Sequence, residues 1–272
     1  LEALQRRMSL SQLLFVMAMI RPGFAVGASE PGNVAVAIGN SSPATGTVRR
    51  VRPDETWEVK DGRFFVNDRW VFLKTGKLLR PFEKEDALPS VIADIDVLID
   101  RLNYNHFSIN IYPDQFDADA DGRIDPARKK AYANVGRILD HCWNRGVFCS
   151  LSFETYNVGG GGTPAALFEK RPGIAAINAL GAPARDVEYT ENGKLIPSIF
   201  HPAYLQWSRG FIRNFLQGLG RQRTDRLLYV ETTVEPQYLG RCSFGDKDPR
   251  RAFMDFSEAA RKAFGQWQSS LP

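Results

Sequence analysis

Two carboxylates, Glu231 and Glu235, stand four residues apart on and just past the apolar run 227–234, and Pro236 and Tyr238 follow. A carboxyl group at a strand end, in a cleft lined by Val234 and Tyr238, is expected to be stripped of solvent, and desolvation raises a carboxyl pKa. A carboxyl kept protonated near neutral pH can protonate a leaving oxygen, which is the chemistry open to Glu235 at that position. Glu231 is expected to point away or lie deeper. Two further strand ends carry polar groups: Asn110 and Tyr112 close the run 107–112, and Glu154 and Tyr156 follow the run 147–153. These four, with Tyr238, are the candidate substrate contacts. His106 and His201 are read as structural.

A second constellation is Asp117-Ala118-Asp119-Ala120-Asp121-Gly122-Arg123-Ile124-Asp125. This spacing opens a calcium loop: three carboxylates converge, Gly122 permits the sharp turn, and the Arg123 carbonyl completes the ring. An EF-hand places Glu at position 12, where Arg128 stands here. The expectation is a weak structural calcium site built from Asp117, Asp119, Asp121, Arg123 and Asp125. The alternative is a polar turn whose Asp125 caps the next helix. Gly159 to Gly162 run into Thr163-Pro164 rather than Lys-Ser/Thr, so they are read as flexible and not as a phosphate loop.

These groups must be held by regular elements. Apolar residues at helical spacing predict a helix over 88–102, and Asp125-Pro126 opens a second over 126–145, closed by Gly146. Further helices are predicted over 204–219 and 257–268. Strands are predicted over 64–66 and 70–74, a hairpin, and over 107–112, 147–153 and 227–234. The later strands read as nearly continuous apolar runs, as in a parallel sheet buried on both faces. Strands alternating with helices call for right-handed parallel crossovers. The polar groups gather at strand C-termini and no G-x-G-x-x-G follows the first strand, which favours a (β/α)8 TIM-barrel type over a doubly wound sheet. The segment 156–199 is long for a loop and is read as a lid over the site.

Composition sets the outer limits. The chain has 272 residues, 43% of them hydrophobic and 24% charged, which is globular. A net charge of +4, spread over short clusters such as Arg128-Lys129-Lys130, argues against nucleic acid as partner. Three cysteines, Cys142, Cys149 and Cys242, make no disulfide scaffold and no zinc spacing. Arg6-Arg7, the apolar run 10–20 and the small residues to Ala28 read as a secretory signal peptide over 1–28. Residues 29–56, rich in Gly, Ser, Pro and Ala, read as a linker or exposed arm, and 57–272 as the folded part. The expected location is secreted or periplasmic, without membrane attachment after signal removal.

Glu231-Thr232-Thr233-Val234-Glu235-Pro236 resembles the fourth strand of the clan A glycoside hydrolases, the cellulase and beta-galactosidase barrels, whose pattern is Glu, two variable residues, then Asn-Glu-Pro. Val234 stands at the Asn position. The stretch 61–68 resembles the small hairpin that leads into many such barrels, and 102–107 the approach to their second strand, where Asn110 stands near the place of a family Arg. The stretch 256–267 resembles the helix after the acid/base strand. The resemblance implies retaining hydrolysis of β-glycosidic bonds in an oligo- or polysaccharide, with Glu235 as acid/base and no required cofactor. It also implies a nucleophilic Glu on a seventh strand. Only four βα units are read here, so the chain is expected to be the N-terminal half of a barrel: either a fragment, or a half-barrel that self-associates through its open edge. The alternative function is a non-catalytic carbohydrate-binding protein on a degenerate barrel.

Overall fold

The computed structural model describes residues 55–79, 86–156, 162–186, 194–232 and 255–270. The predicted signal peptide, most of the predicted linker, Cys242, and Val234, Glu235 and Tyr238 lie outside the described residues.

The fold begins with an antiparallel meander of β1 (Trp57–Lys60), β2 (Arg63–Val66) and β3 (Arg69–Trp70). Both turns take positive φ at their two central residues, Asp61 and Gly62, then Asn67 and Asp68. That is the turn whose twist matches a hairpin, and it explains the choice of Asp, Asn and Gly. The elements that follow are β4 (Thr75–Leu78), α1 (Leu88–Leu102), β5 (His106–Ile111), α2 (Lys129–Asn144), β6 (Phe148–Phe153), α3 (Ala165–Lys170), β7 (Arg185–Asp186), β8 (Lys194–Leu195), α4 (Pro202–Leu219), α5 (Arg221–Thr224), β9 (Leu227–Glu231) and α6 (Glu258–Ser269). Val66 packs on Phe148, with Phe64, Val71 and Leu73 around them, so the meander sits against the N-terminal end of β6.

Strands β4, β5, β6 and β9 form one parallel sheet in that order. Each strand lies beside the one before it in the sheet, with no reversal of direction of growth. The first parallel strand is β4, not the predicted 70–74. Gly76 disguised it, because glycine weakens a strand pattern. The packing requires it: a Cβ at Gly76 would stand 2.9 Å from the Phe107 ring.

The two faces of the sheet differ. Phe107, Ile109 and Ile111 of β5 and Cys149, Leu151 and Phe153 of β6 pack against Ile95 and Ile99 of α1, Val135, Ile138 and Cys142 of α2, and Phe211 and Phe215 of α4. Phe215 meets Phe116 and Phe153 edge to face, each at 5.4 Å between ring centroids. Full burial of one such side chain contributes about 1.5–3 kcal/mol. The opposite face carries His106, Ser108 and Asn110, then Ser150 and Ser152, all buried. The expectation of two apolar faces is therefore corrected: the buried strands alternate, and one buried face is polar.

Two helix predictions are refined. The backbone of α1 ends at Asn103, whose left-handed conformation lets its N–H and that of Tyr104 reach the carbonyls of Ile99 and Leu98. The helix predicted from Pro126 starts as a single 3₁₀ turn, Pro126–Arg128, before α2. Asp125 does not cap it with its side chain. Its Oδ2 accepts from the Ala118 N–H at 2.9 Å and closes the preceding loop instead.

The segment 156–199 is not a bare loop. It holds α3, β7 and β8, and a second core in which Tyr156, Leu167, Ile174, Ala176, Ala184 and Ile196 pack with Tyr204 and Trp207 of α4. The N–H groups of Ala176, Ala184 and Ile196 bond to the carbonyls of Ile196, Ala176 and Ala184 respectively.

Candidate functional site

The polar face of the sheet is a set of hydrogen-bonded rungs. Nearest the N-terminal end, His106 is held between Thr75 Oγ1, 2.8 Å from Nδ1, and Ser150 Oγ, 3.0 Å from Nε2. Burial lowers its pKa to about 4, so the ring is neutral, with one nitrogen donating and the other accepting. Its structural reading stands. The next rung joins Ser108 Oγ to Ser152 Oγ at 2.9 Å, and Ser152 donates to Glu231 Oε2 at 2.7 Å. The last rung joins Asn110 Nδ2 to Glu154 Oε1 at 2.7 Å.

Strand register explains this convergence. Asn110 and Glu231 both lie opposite Ser152, on the neighbouring strands to either side. Glu154 follows Ser152 by two residues, the spacing that keeps a side chain on one face. Asn110, Glu154 and Glu231 thus gather at the C-terminal end of three parallel strands. Glu231 is part of this edge, held by the Ser152 hydroxyl; Glu235, against which its depth was read, lies outside the described residues. Asn110 is fully buried and Glu154 is 7% exposed. Among the described residues, Asn110 Oδ1 has no hydrogen-bond partner.

The remaining candidates frame this edge. Tyr112 is buried, and its carbonyl accepts from the Gln115 N–H in the turn after β5. Tyr156 belongs to the second core. Thr155 lies between the candidates Glu154 and Tyr156; its hydroxyl and carbonyl both accept from Tyr204 Oη, at 3.1 and 3.2 Å. Gly162, the last residue of the glycine run, has a reason other than flexibility. Its N–H donates to the Glu154 carbonyl, its own carbonyl accepts from the Asp114 N–H, and a Cβ there would stand 2.8 Å from Tyr112 Cα. Backbone passes over backbone at that point.

The aspartate loop is organised around Asp117, which is fully buried. Its Oδ1 accepts from the Asp121 N–H, and its Oδ2 from the Gly122 N–H and from Trp207 Nε1, each at 2.9 Å. Desolvation raises its pKa to about 7, and those three donors oppose the rise. Carboxylate oxygens of Asp117, Asp119 and Asp125 lie within 4.8 Å of one another. Oxygens bound at about 2.3–2.6 Å to one calcium are at most about 5 Å apart, so the three fit a shared cation. Asp121 is not part of that cluster of side chains: its Oδ1 accepts from the Arg123 N–H at 2.8 Å. Gly122 takes φ +80°, where a side chain is strained, and its carbonyl accepts from Asn214 Nδ2 of α4. Cys142 and Cys149 are free and buried, as expected of small core residues.

Sequence reasoning missed Ser108, Ser150, Ser152 and Trp207. The signal for the serines was present: Ser108-Ile109-Asn110 and Ser150-Leu151-Ser152 alternate with period two inside runs that look apolar overall. Trp207, two turns into an amphipathic helix, looks like any core aromatic. No helix among the described residues is long and apolar enough to cross a membrane. No family model matches the chain, and no curated protein matches it.

Proposed function

We propose that this chain belongs to a secreted glycoside hydrolase-like protein that hydrolyses β-glycosidic bonds with retention, on a fold of (β/α)8 type of which these strands are the first half. The observation that carries the reading is the buried polar face ending in Asn110, Glu154 and Glu231 at the C-terminal edge of the parallel sheet. Barrel enzymes place their sites at that edge, and their strands follow one another in chain order as these do. Glu235, beyond the end of β9, is the proposed general acid/base, and Asn110, Tyr112, Glu154, Tyr156 and Tyr238 the proposed sugar contacts. The test is hydrolysis of aryl β-glycosides by the longest form of the protein that can be expressed, against its Glu235→Gln variant. The expected loss is about 10²–10⁴-fold in rate. Undiminished turnover in the variant would sink the assignment.

A second reading, a carbohydrate-binding protein without catalysis, is favoured by one observation. The residue near the place of the family Arg is Asn110, and its amide is tied to Glu154. Sugar binding without turnover of any aryl glycoside would select it.

For the aspartate loop we propose a weak structural calcium site on Asp117, Asp119 and Asp125. Calcium at millimolar concentration should raise the melting temperature of the wild type and leave Asp119→Asn nearly unmoved. An equal rise in both would place the effect elsewhere.

A further inference from the structure

Asn110 carries one contact in excess of what the fold uses. Its side chain is fully buried, and its amide NH₂ must face Glu154, since only that end can donate to the carboxylate 2.7 Å away. The orientation of the amide is therefore fixed, and so is that of Oδ1, the acceptor with no partner among the described residues. Buried amide oxygens are nearly always bonded, so one that is left open among the described residues, at the C-terminal edge of a parallel sheet, points to a ligand as its donor. Two more acceptors without partners, Asp114 Oδ1 and Gln115 Oε1, lie on the turn that continues β5. Ser152 points its proton at Glu231 and leaves that carboxylate an acceptor too. Around Asn110 Oδ1, then, further acceptors look for protons.

We propose that Asn110 is the specificity-determining residue of the site, its Oδ1 accepting the proton of one free ring hydroxyl of a neutral, unsubstituted pyranoside. The inference rests on the reading of this edge as a sugar site and adds what the edge selects. A site built to bond a hydroxyl rejects the analogue that lacks it, because the buried acceptor is then left bare. An O-methylated hydroxyl fails likewise, since it has no proton to give, and a ring carboxylate set against Asn110 Oδ1 has none either.

The test is calorimetric titration of the 272-residue chain with gluco-, manno- and xylo-configured β-linked trisaccharides, followed by the monodeoxy and mono-O-methyl series of whichever binds. Oligogalacturonate is the anionic comparison. In the wild type, removal or methylation of one particular hydroxyl should weaken binding by about 10-fold or more, while the other positions matter less. In Asn110→Leu, the parent sugar should fall to the affinity of that analogue, and the analogue should lose nothing further. His141→Asn, on α2 and away from this edge, should keep the wild-type discrimination. Equal affinity across the analogue series overturns the proposal and leaves the sugar site standing, as does oligogalacturonate binding as tightly as the neutral sugars. No binding of any sugar overturns both. Should Asn110→Leu fail to fold by circular dichroism, the wild-type series still decides: a single sensitive hydroxyl supports the proposal, and a flat series refutes it.

Discussion

At the scale of single residues, His106 is the clearest case of a side chain whose chemistry is fixed by position. It lies between Thr75 and Ser150 beneath the candidate site, and burial lowers its pKa from 6.5 to about 4. The folded state then binds fewer protons than the unfolded chain, so the contribution is present above pH 6.5 and is lost as the pH falls toward about 4. Melting temperature should decline over that window, and His106→Asn should flatten the decline; an unchanged slope would assign the acid sensitivity to other groups. Gly162 is the second such position. A methyl group there meets Tyr112 and Pro113 backbone atoms at under 3 Å. Gly162→Ala should cost about 1–3 kcal/mol, the usual penalty for overpacking a tight site, readable by denaturant unfolding. Asn110 and Glu154 were legible in the sequence as strand-end polar groups. Their pairing was not, because the register that sets them on one face is a property of two strands together.

At the scale of elements, the segment between β6 and α4 is the part that sequence reasoning understated. Its pieces are short, with β7 and β8 two residues each, and too brief to carry a period. What orders them is the apolar set around Ile174, fully buried against Tyr204 and Trp207. Ile174→Ala should therefore loosen this segment before the sheet. Amide exchange at Ala176, Ala184 and Ile196 should quicken while β5 and β6 keep their protection, and uniform acceleration throughout would show that segment and sheet open as one unit. The long helices were legible because periodicity and caps agree: α1 spans its predicted residues, and Ser257 caps α6 by accepting from the Ala260 N–H. β4 escaped notice for the opposite reason, since local propensity at Gly76 opposes a strand that tertiary packing requires.

At the scale of the whole molecule, the parallel sheet has two lateral margins among the described residues. Among the described residues, β4 and β9 each pair on one side only. Thr75 and Lys77 of β4 are exposed, whereas β5 and β6 are buried throughout. Unpaired strand edges recruit partners. The 272-residue chain should self-associate with rising concentration in light scattering after size exclusion, and a monomer throughout the micromolar range would argue against open edges.

The sequential order of β4, β5, β6 and β9 also bears on how the chain comes to be folded as it is made. No strand must be threaded between two that already lie side by side, so each can dock on the growing margin as it leaves the ribosome, and the sheet can assemble in the order of its own translation.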